Sequence, residues 1–260
     1  MSNYIVLVKQ VPDVSQITDN AFDPQSGTLI RSRLSNIIND LDAQALAFAH
    51  QMKLQSGNGG KVVCLTMGPP MAEEVLRYSL SRCADAAVLL TDRALGGADT
   101  VATANPLAFA VKKIVKDIFS GDEDYYVVSG MQSVDGDTAQ VPPQMAAELG
   151  ISCIAYATSS EFKNGRFEFT RIISGGSQVV AAKHTPAIVT VAKYEYPLFA
   201  SFAATRKAGK FQVFNWTNAD INATQIGAQG SKTRVIRVFP PGKSTRKAQE
   251  ITDVTSLAEK

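Results

Sequence analysis

The chain has 260 residues, 45% of them hydrophobic and 19% charged, and a formal net charge of +2. This composition is typical of a soluble globular protein of one large domain, or one domain with an appendage. The small net charge gives no reason to expect a nucleic-acid partner. No apolar run is long enough to span a bilayer, so we expect no direct membrane insertion.

The cysteines and histidines point away from metal and disulfide chemistry. They are few and widely separated in the sequence: Cys64, Cys83, Cys153, His50 and His184. This spacing matches neither a zinc pattern nor a disulfide framework, and free thiols suit a reducing compartment. The N-terminal residues lead directly into an apolar run with no signal-peptide pattern. We therefore expect a cytoplasmic protein without a metal.

The first 150 residues alternate between predicted strands and helices. The run YIVLV at residues 4–8 reads as a strand buried on both faces, and similar strands are predicted at 61–66, 86–90 and 125–129. Residues 14–38 are irregular, with a short hairpin expected at 28–31. Helices are predicted at 39–56, 72–81 and 99–119, with a fourth from Pro142. This order predicts an α/β layer with a largely parallel sheet.

The pattern changes after residue 150. Strand-like runs occur without long helices between them, at 154–158, 166–173, 178–183 and 187–192. Asn164-Gly165 is a strong hairpin signal, so we expect antiparallel strands that extend the same sheet. A last short strand is predicted at 235–239, and the polar tail after Pro240 is expected to be an extended arm.

Each of the four predicted parallel strands is followed by a loop rich in Gly, Pro, Asp or Thr: residues 9–13, 67–70, 96–100 and 135–140. In a parallel sheet these loops gather along the carboxyl edge, where ligands bind. Four such loops together favour a nucleotide pocket over turn chemistry alone. Neither GxGxxG nor GxxxxGK[ST] is present, so neither standard phosphate motif applies.

The fourth loop carries the clearest signal. Pro142 and Pro143 are tolerated only in a first helical turn, so the helix is expected to begin there and to leave 135–141 as a loop with free amides. A helix start with free N–H groups suits a phosphate. The competing interpretation is an ordinary acidic turn with an Asp cap.

Catalytic hypotheses find little support in the sequence. No serine has a credible histidine partner, there is no HExxH, and Cys83 late in a helix is typical of packing. Asp135 and Asp137 could be paired acids, but their turn spacing favours backbone capping and contacts to ribose hydroxyls.

Residues 194–210 combine aromatic and basic side chains. Phe199 and Phe202 lie near Arg206, Lys207 and Lys210. An aromatic anchor with a basic rim is typical of a protein-docking element. From the sequence alone, the favoured interpretation is instead that both rings belong to the core and the charges face water.

Four segments together resemble a known family. The segments VKQVPD (8–13), TMGPP (66–70), DRALGGADT (92–100) and DGDTAQV (135–141), in this order and spacing, are similar to FixA-like beta subunits of electron transfer flavoproteins. The similarity runs from residue 4 to about 240. The last three segments look like the branch whose beta subunit holds a second FAD, which includes the electron-bifurcating members. The other branch holds AMP at the same place.

The resemblance implies an adenine nucleotide alpha hydrolase-like, Rossmann-like fold and a heterodimer with an electron transfer flavoprotein alpha subunit, which carries the electron-transferring FAD. It divides the chain into a nucleotide-binding domain (1–193), a partner recognition loop (194–210) and an arm that contacts the alpha subunit (211–260). The implied redox partners are an acyl-CoA dehydrogenase and a membrane quinone oxidoreductase. FAD, or alternatively AMP, is the implied cofactor of this chain.

The resemblance also maps functional residues onto this sequence. Phe202 matches the docking anchor. Pro142 stands where the family usually has glycine, which removes one N–H from the phosphate site. The implied nucleotide contacts are Val8, Lys9, Asn39, Asp40, Leu41, Asp42, Met67, Gly68, Asp99, Thr100, Thr103, Asp135, Gly136, Asp137, Thr138, Ala139, Gln140 and Val141.

Two other nucleotide-binding classes with this type of fold are possible readings. A universal-stress-like binding protein without a redox role usually carries G-x-x-G-x(9)-G near its end, and this segment is absent. An ATP-pyrophosphatase-type ligase needs an SGGxDS loop after the first strand, and residues 9–13 do not supply it.

Overall fold

A computed structural model describes residues 2–13, 15 and 35–236 of the chain. Its strands, numbered in chain order, are β1 Asn3–Leu7, β2 Gln10–Pro12, β3 Asn36–Ile38, β4 Val62–Met67, β5 Ala86–Leu90, β6 Tyr125–Gly130, β7 Ser152–Lys163, β8 Arg166–Ile173, β9 Gly176–Ala181, β10 Ala187–Val191 and β11 Phe214–Trp216. Its α-helices are α1 Asp40–Gln55, α2 Glu73–Leu80, α3 Thr100–Asp117, α4 Val141–Leu149, α5 Phe202–Lys210, α6 Asn218–Ile221 and α7 Gly227–Gly230.

One nine-stranded sheet organises the fold, in the order β11-β5-β4-β1-β6-β10-β7-β8-β9. The strands from β11 to β7 are parallel, and β8 and β9 are antiparallel additions at one end. The predicted α/β architecture, a parallel sheet with an antiparallel extension, is therefore confirmed. The central position of β1 puts its carboxyl end between those of β4 and β6.

The sheet is covered on both faces because its central strands are apolar on both faces. Tyr4 and Val6 of β1 pack into a cluster with α1 and α2. Ile5 and Leu7 point to the opposite face and pack with α3 and α4. Alternate side chains of a strand point to opposite faces, so this continuous apolar run supplies both layers.

The antiparallel extension begins at the predicted turn. Asn164 and Gly165 both have positive φ, at 51° and 78°, as a tight hairpin between β7 and β8 requires. Phe167 and Phe169 of β8 are buried, and Phe169 stacks on Phe48 of α1 with a ring-centroid distance of 6.3 Å. This packing fixes which face of the extension joins the core.

Several local predictions differ from the structure. Part of the loop predicted at 9–13 is the strand β2, which pairs with β3 in a small separate sheet. The strand β11 and the helix α5 were not predicted, because β11 has only three residues and α5 buries only Ala208, so neither carries a long apolar pattern. Residues 235 and 236 form no strand. The rest of that predicted strand, the hairpin at 28–31 and the tail after Pro240 lie outside the described residues.

Candidate functional site

The four glycine- and proline-rich loops meet at the carboxyl edge of the parallel strands, and side-chain hydrogen bonds link them. Gln10 donates through Nε2 to the carbonyl oxygen of Met71 at 3.1 Å. Thr100 donates through Oγ1 to Oε1 of Gln140 at 3.0 Å. Lys9 Nζ lies 2.6 Å from Asp135 Oδ1. The expected gathering of the loops along one edge is thus observed.

Asp42, in the first turn of α1, joins the ends of the two central strands. Its Oδ2 accepts from the backbone N–H of Lys9 at 2.9 Å, and its Oδ1 accepts from that of Gly130 at 3.0 Å. Burial raises the pKa of the Asp42 carboxyl to about 7, although these hydrogen bonds favour its charged form. Asp42 therefore sets the spacing between the first and fourth loops.

Gly130 allows α1 to approach the end of β6. A Cβ atom on Gly130 would lie 2.6 Å from Asp42 Oδ1 and 2.7 Å from the Cβ of Leu41. Both distances are shorter than real contacts allow, so only glycine fits here. Gly130 was not among the predicted site residues. Its signal in the sequence was the glycine that ends the apolar run of β6.

Asn39 fastens the fourth loop to the start of α1. This residue is fully buried. Its Nδ2 donates to the carbonyl oxygen of Gln132 at 3.0 Å, and its Oδ1 accepts from the N–H of Val134 at 3.2 Å. The backbone N–H of Asn39 also donates to the carbonyl oxygen of Lys9 at 2.9 Å. Asn39 and Asp42 thus use their polar atoms to shape the loops.

The fourth loop turns sharply before α4. Asp137 and Ala139 adopt left-handed conformations, with φ of 51° and 54°. No residue in the described part of the chain accepts a hydrogen bond from the backbone N–H groups of residues 138–141. Gln140 precedes the helix without a side-chain cap, and Pro142 lies in the first turn. The helix begins at Val141, one residue before the predicted start, and leaves the amides before Pro142 available.

These amides make the fourth loop a fitting place for a phosphate. The N-terminus of a helix carries the positive end of its dipole and presents unpaired donors. Lys9, whose side chain is 47% exposed, adds a cation next to Asp135, whose side chain is 11% exposed. Lys9 thereby joins the first loop to the start of the fourth loop, in which these amides lie.

The third loop is tied to the chain that follows β11. Asp99 caps α3 by accepting from the N–H of Ala102, and its Oδ2 accepts from the backbone N–H groups of Lys232 and Thr233. Burial opposes ionisation, but these hydrogen bonds outweigh it and lower the pKa of Asp99 to about 2. The Asp99 carboxylate is therefore occupied by backbone donors.

The remaining predicted contacts vary in their exposure. The hydroxyl of Thr103 donates to the carbonyl oxygen of Asp99 at 2.7 Å, within the helix. Asp40 is exposed and accepts from Gln44. Gly68 donates its N–H to the carbonyl oxygen of Leu90 at 3.1 Å, which places the second loop beside the end of β5. Val8 is buried at the edge, and Leu41 lies against the backbone of Gly130. Met67 is half-buried at the end of β4.

Among the described residues, the site offers binding groups and no reactive side chain. Within residues 2–13, 15 and 35–236, no three His, Cys, Asp or Glu residues are grouped so as to hold a metal ion. Burial raises the pKa of the Cys83 thiol to about 12, which suits a packing role. The arrangement of amides, a lysine and close-fitting glycines suits a nucleotide whose own chemistry does the work.

The aromatic residues at 199 and 202 are on the surface, which corrects the expectation that they belong to the core. Phe199 is 87% exposed and Phe202 is 86% exposed. Ser201 caps α5 by accepting from the N–H of Ala204 at 3.1 Å, so Phe202 stands at the first position of a helix. Two neighbouring exposed phenylalanines favour a protein-docking surface.

Comparison with known proteins decides the family. Residues 26–221 match the model of the electron transfer flavoprotein domain. The chain belongs to the electron transfer flavoprotein family. It is 39% identical to the electron transfer flavoprotein subunit beta of Megasphaera elsdenii over 91% of this chain and 87% of that protein.

Two further relatives show the range of the similarity. The chain is 38% identical to protein FixA of Bradyrhizobium diazoefficiens over 94% of this chain and 84% of that one. It is 34% identical to subunit CarD of the caffeyl-CoA reductase-Etf complex of Acetobacterium woodii, over 98% and 94% of the two chains. The resemblance to beta subunits and FixA proteins is therefore confirmed. In the part of the chain that the structure covers, no helix has the length and apolarity to cross a membrane.

Proposed function

We propose that this chain is the beta subunit of a heterodimeric electron transfer flavoprotein and binds FAD, or AMP, at its loop edge. The observation that carries the proposal is the group of available amides at residues 138–141, in the loop whose start contacts Lys9 through Asp135, in a chain of this family. The helix start and the lysine would hold a phosphate group.

Within this proposal, the chain's own residues bind and orient the nucleotide. The amides of the fourth loop receive the phosphate oxygens, Lys9 supplies positive charge, and Gly130 and Asp42 keep the loop at the right distance. A bound flavin supplies electron-accepting and electron-donating chemistry that no side chain of the site has. AMP at the same place would be structural.

The proposed redox partners are an acyl-CoA dehydrogenase and a quinone reductase or another acceptor. One relative is named as a subunit of a caffeyl-CoA reductase-Etf complex, and this supports a partner enzyme that acts on CoA esters. Phe202, exposed at the start of α5, is the proposed anchor for that enzyme. Residues 211–260 are proposed to contact the alpha subunit.

The test is the nucleotide content of the complex. The chain is co-purified with its alpha subunit, the complex is denatured, and released FAD and AMP are quantified per heterodimer. Two FAD and no AMP would support the two-flavin form, and one FAD with one AMP would support the single-flavin form. A complex without either nucleotide in the beta subunit would contradict the proposal.

The variant Lys9→Ala tests whether the nucleotide of the beta subunit binds near Lys9. It should lower retention of the nucleotide that the beta subunit holds and leave the alpha subunit's FAD in place. Lys163→Ala serves as the control because Lys163 is about as exposed as Lys9 and forms an ion pair with Glu161 at the β7–β8 hairpin, which belongs to none of the four loops. Equal retention of the nucleotide in both variants would show that it does not bind near Lys9.

A further inference from the structure

The docking segment, defined as residues 194–210, is attached to α2 at one end by Arg77. The Arg77 Nη1 donates to the carbonyl oxygen of Ala208 at 2.6 Å and also to that of Phe211. The Nε and Nη2 atoms of the same guanidinium donate to Oε1 of Glu73, at 2.9 Å and 2.6 Å. A cation at the last carbonyls of α5 satisfies groups that have no partner within the helix.

Arg82 attaches the other end of the segment. Its Nε donates to the carbonyl oxygen of Leu198 at 3.0 Å. Its guanidinium lies 3.3 Å from the centre of the Tyr78 ring and donates to the carbonyl oxygen of Tyr78. Stacking and hydrogen bonding to Tyr78 thereby fix the guanidinium plane independently of its contact with the segment.

Between these two attachments, little else holds the segment in place. In α5 only Ala208 is buried. The helix has nine residues, whereas isolated helices shorter than about 12–15 residues are marginal in water. A groove with a volume of about 600 Å³ separates α2 from the segment and is lined by Tyr78, Arg82, Phe199 and Thr205, among others. Tyr194 and Leu198 also pack against the core, so the arginines order chiefly the part of the segment from Leu198 to Ala208.

We infer that Arg77 and Arg82 are positioning residues that hold Phe199 and Phe202 in the arrangement that meets the redox partner. This inference rests on the proposed function and adds residues that do not themselves reach the partner. The apparent affinity of a surface falls by the fraction of time that it spends in the binding-competent arrangement. Loosening the segment should therefore weaken docking and leave the transfer step in the docked complex unchanged.

The test uses Arg77→Ala and Arg82→Ala in the full heterodimer. Hydrogen exchange of the amides of residues 202–210 is measured by mass spectrometry. Electron transfer is measured from a purified acyl-CoA dehydrogenase with its acyl-CoA substrate as the reductant. Each variant should exchange these amides faster and raise the KM for the flavoprotein by about fivefold to tenfold, with kcat changed less than about twofold.

Two kinds of control accompany these variants. Arg77→Lys keeps one donor for the Ala208 carbonyl and should recover part of both effects. Lys116→Ala, at an exposed position on α3, should change neither. Flavin content and the thermal unfolding midpoint show whether each variant is folded. If one alanine variant fails to fold, the other still tests the inference, because the two arginines hold opposite ends of the segment.

The outcomes separate the inference from the proposed function. Unchanged amide exchange in the folded variants would overturn the inference, and so would faster exchange with an unchanged KM. A fall in kcat with a constant KM would also overturn it. A flavin-loaded wild-type complex that accepts no electrons from the dehydrogenase would instead overturn the proposed function and, with it, the docking role.

Discussion

The loop edge and the docking segment are built in opposite ways. At the loop edge, the buried polar side chains of Asn39 and Asp42 join backbone groups at or just after the ends of β1 and β6. The docking segment has a single buried residue in α5 and is held by Arg77 of α2 and by Arg82, which follows α2. A nucleotide site needs fixed donors, whereas a surface that meets a separate protein needs exposed anchors. Mutations at the loop edge should therefore impair the nucleotide site, and mutations in the docking segment should impair partner docking.

Gly130→Ala should have the largest effect, because the new Cβ would overlap Asp42 and Leu41. We expect a loss of about 3 kcal/mol or more in unfolding free energy, as for severe overpacking. Chemical denaturation of the purified heterodimer measures it. Gly176→Ala is the control, since a Cβ there meets no atom within 4 Å. Equal stability of the two variants would contradict the close approach at β6.

Asp42→Asn should change the pH dependence of stability. Burial raises the pKa of Asp42 in the folded protein to about 7 from an ordinary value of 3.8. The stability that the protonated carboxyl contributes is therefore fully present below pH 4 and is lost as pH rises through 7. Asparagine also turns an amide toward one of two backbone donors, which costs about 1–3 kcal/mol.

The measurement is urea denaturation of both proteins from pH 4 to pH 8. The stability advantage of the wild type over Asp42→Asn should shrink across this range. Asp40→Asn, at an exposed position in the same helical turn, is the control. A difference that stays constant with pH would show that burial does not raise the pKa of Asp42.

Phe202→Ala should impair docking without affecting the loop edge. Removal of an exposed anchor typically costs about 2 kcal/mol of binding free energy, which is roughly a thirtyfold loss of affinity. The loss appears as slower electron exchange with the dehydrogenase at low flavoprotein concentration, with flavin content unchanged. Phe199→Ala tests the choice of anchor, because its ring is equally exposed. A larger effect of Phe199→Ala on electron exchange would identify Phe199, rather than Phe202, as the anchor.

Lys9→Ala should have the smallest effect on stability. Exposed ion pairs contribute about 0–1 kcal/mol, and Lys9 is half-exposed. We expect nucleotide affinity to fall about fivefold, since only one charge near the phosphate is removed. Titration of the nucleotide-depleted complex at low and high salt measures this effect. An affinity that does not depend on Lys9 or on salt would contradict a phosphate at this position.

The loop edge was largely predictable because its signals are local. The helix start at Pro142 was predicted within one residue, since proline restricts its own position in a helix. The hairpin at Asn164-Gly165 was equally clear. Gly130 was missed as a site residue because its role depends on Leu41 and Asp42, which lie far away in the sequence. The assignment of nucleotide contacts to individual residues remains a prediction.

The sequence by itself determined the parallel sheet, its antiparallel extension and the four loops, because strand and helix periods and turn residues act over short distances. The residues alone favoured a buried position for Phe199 and Phe202, which was wrong, whereas the family resemblance favoured Phe202 as a docking anchor, and its ring is exposed. Only the tertiary structure showed how exposed these rings are, because exposure depends on contacts across the chain, and the segment that carries them contacts Arg77 and Arg82, more than a hundred residues earlier. Contacts between such distant residues arise only when the whole chain has packed, and no local pattern contains them.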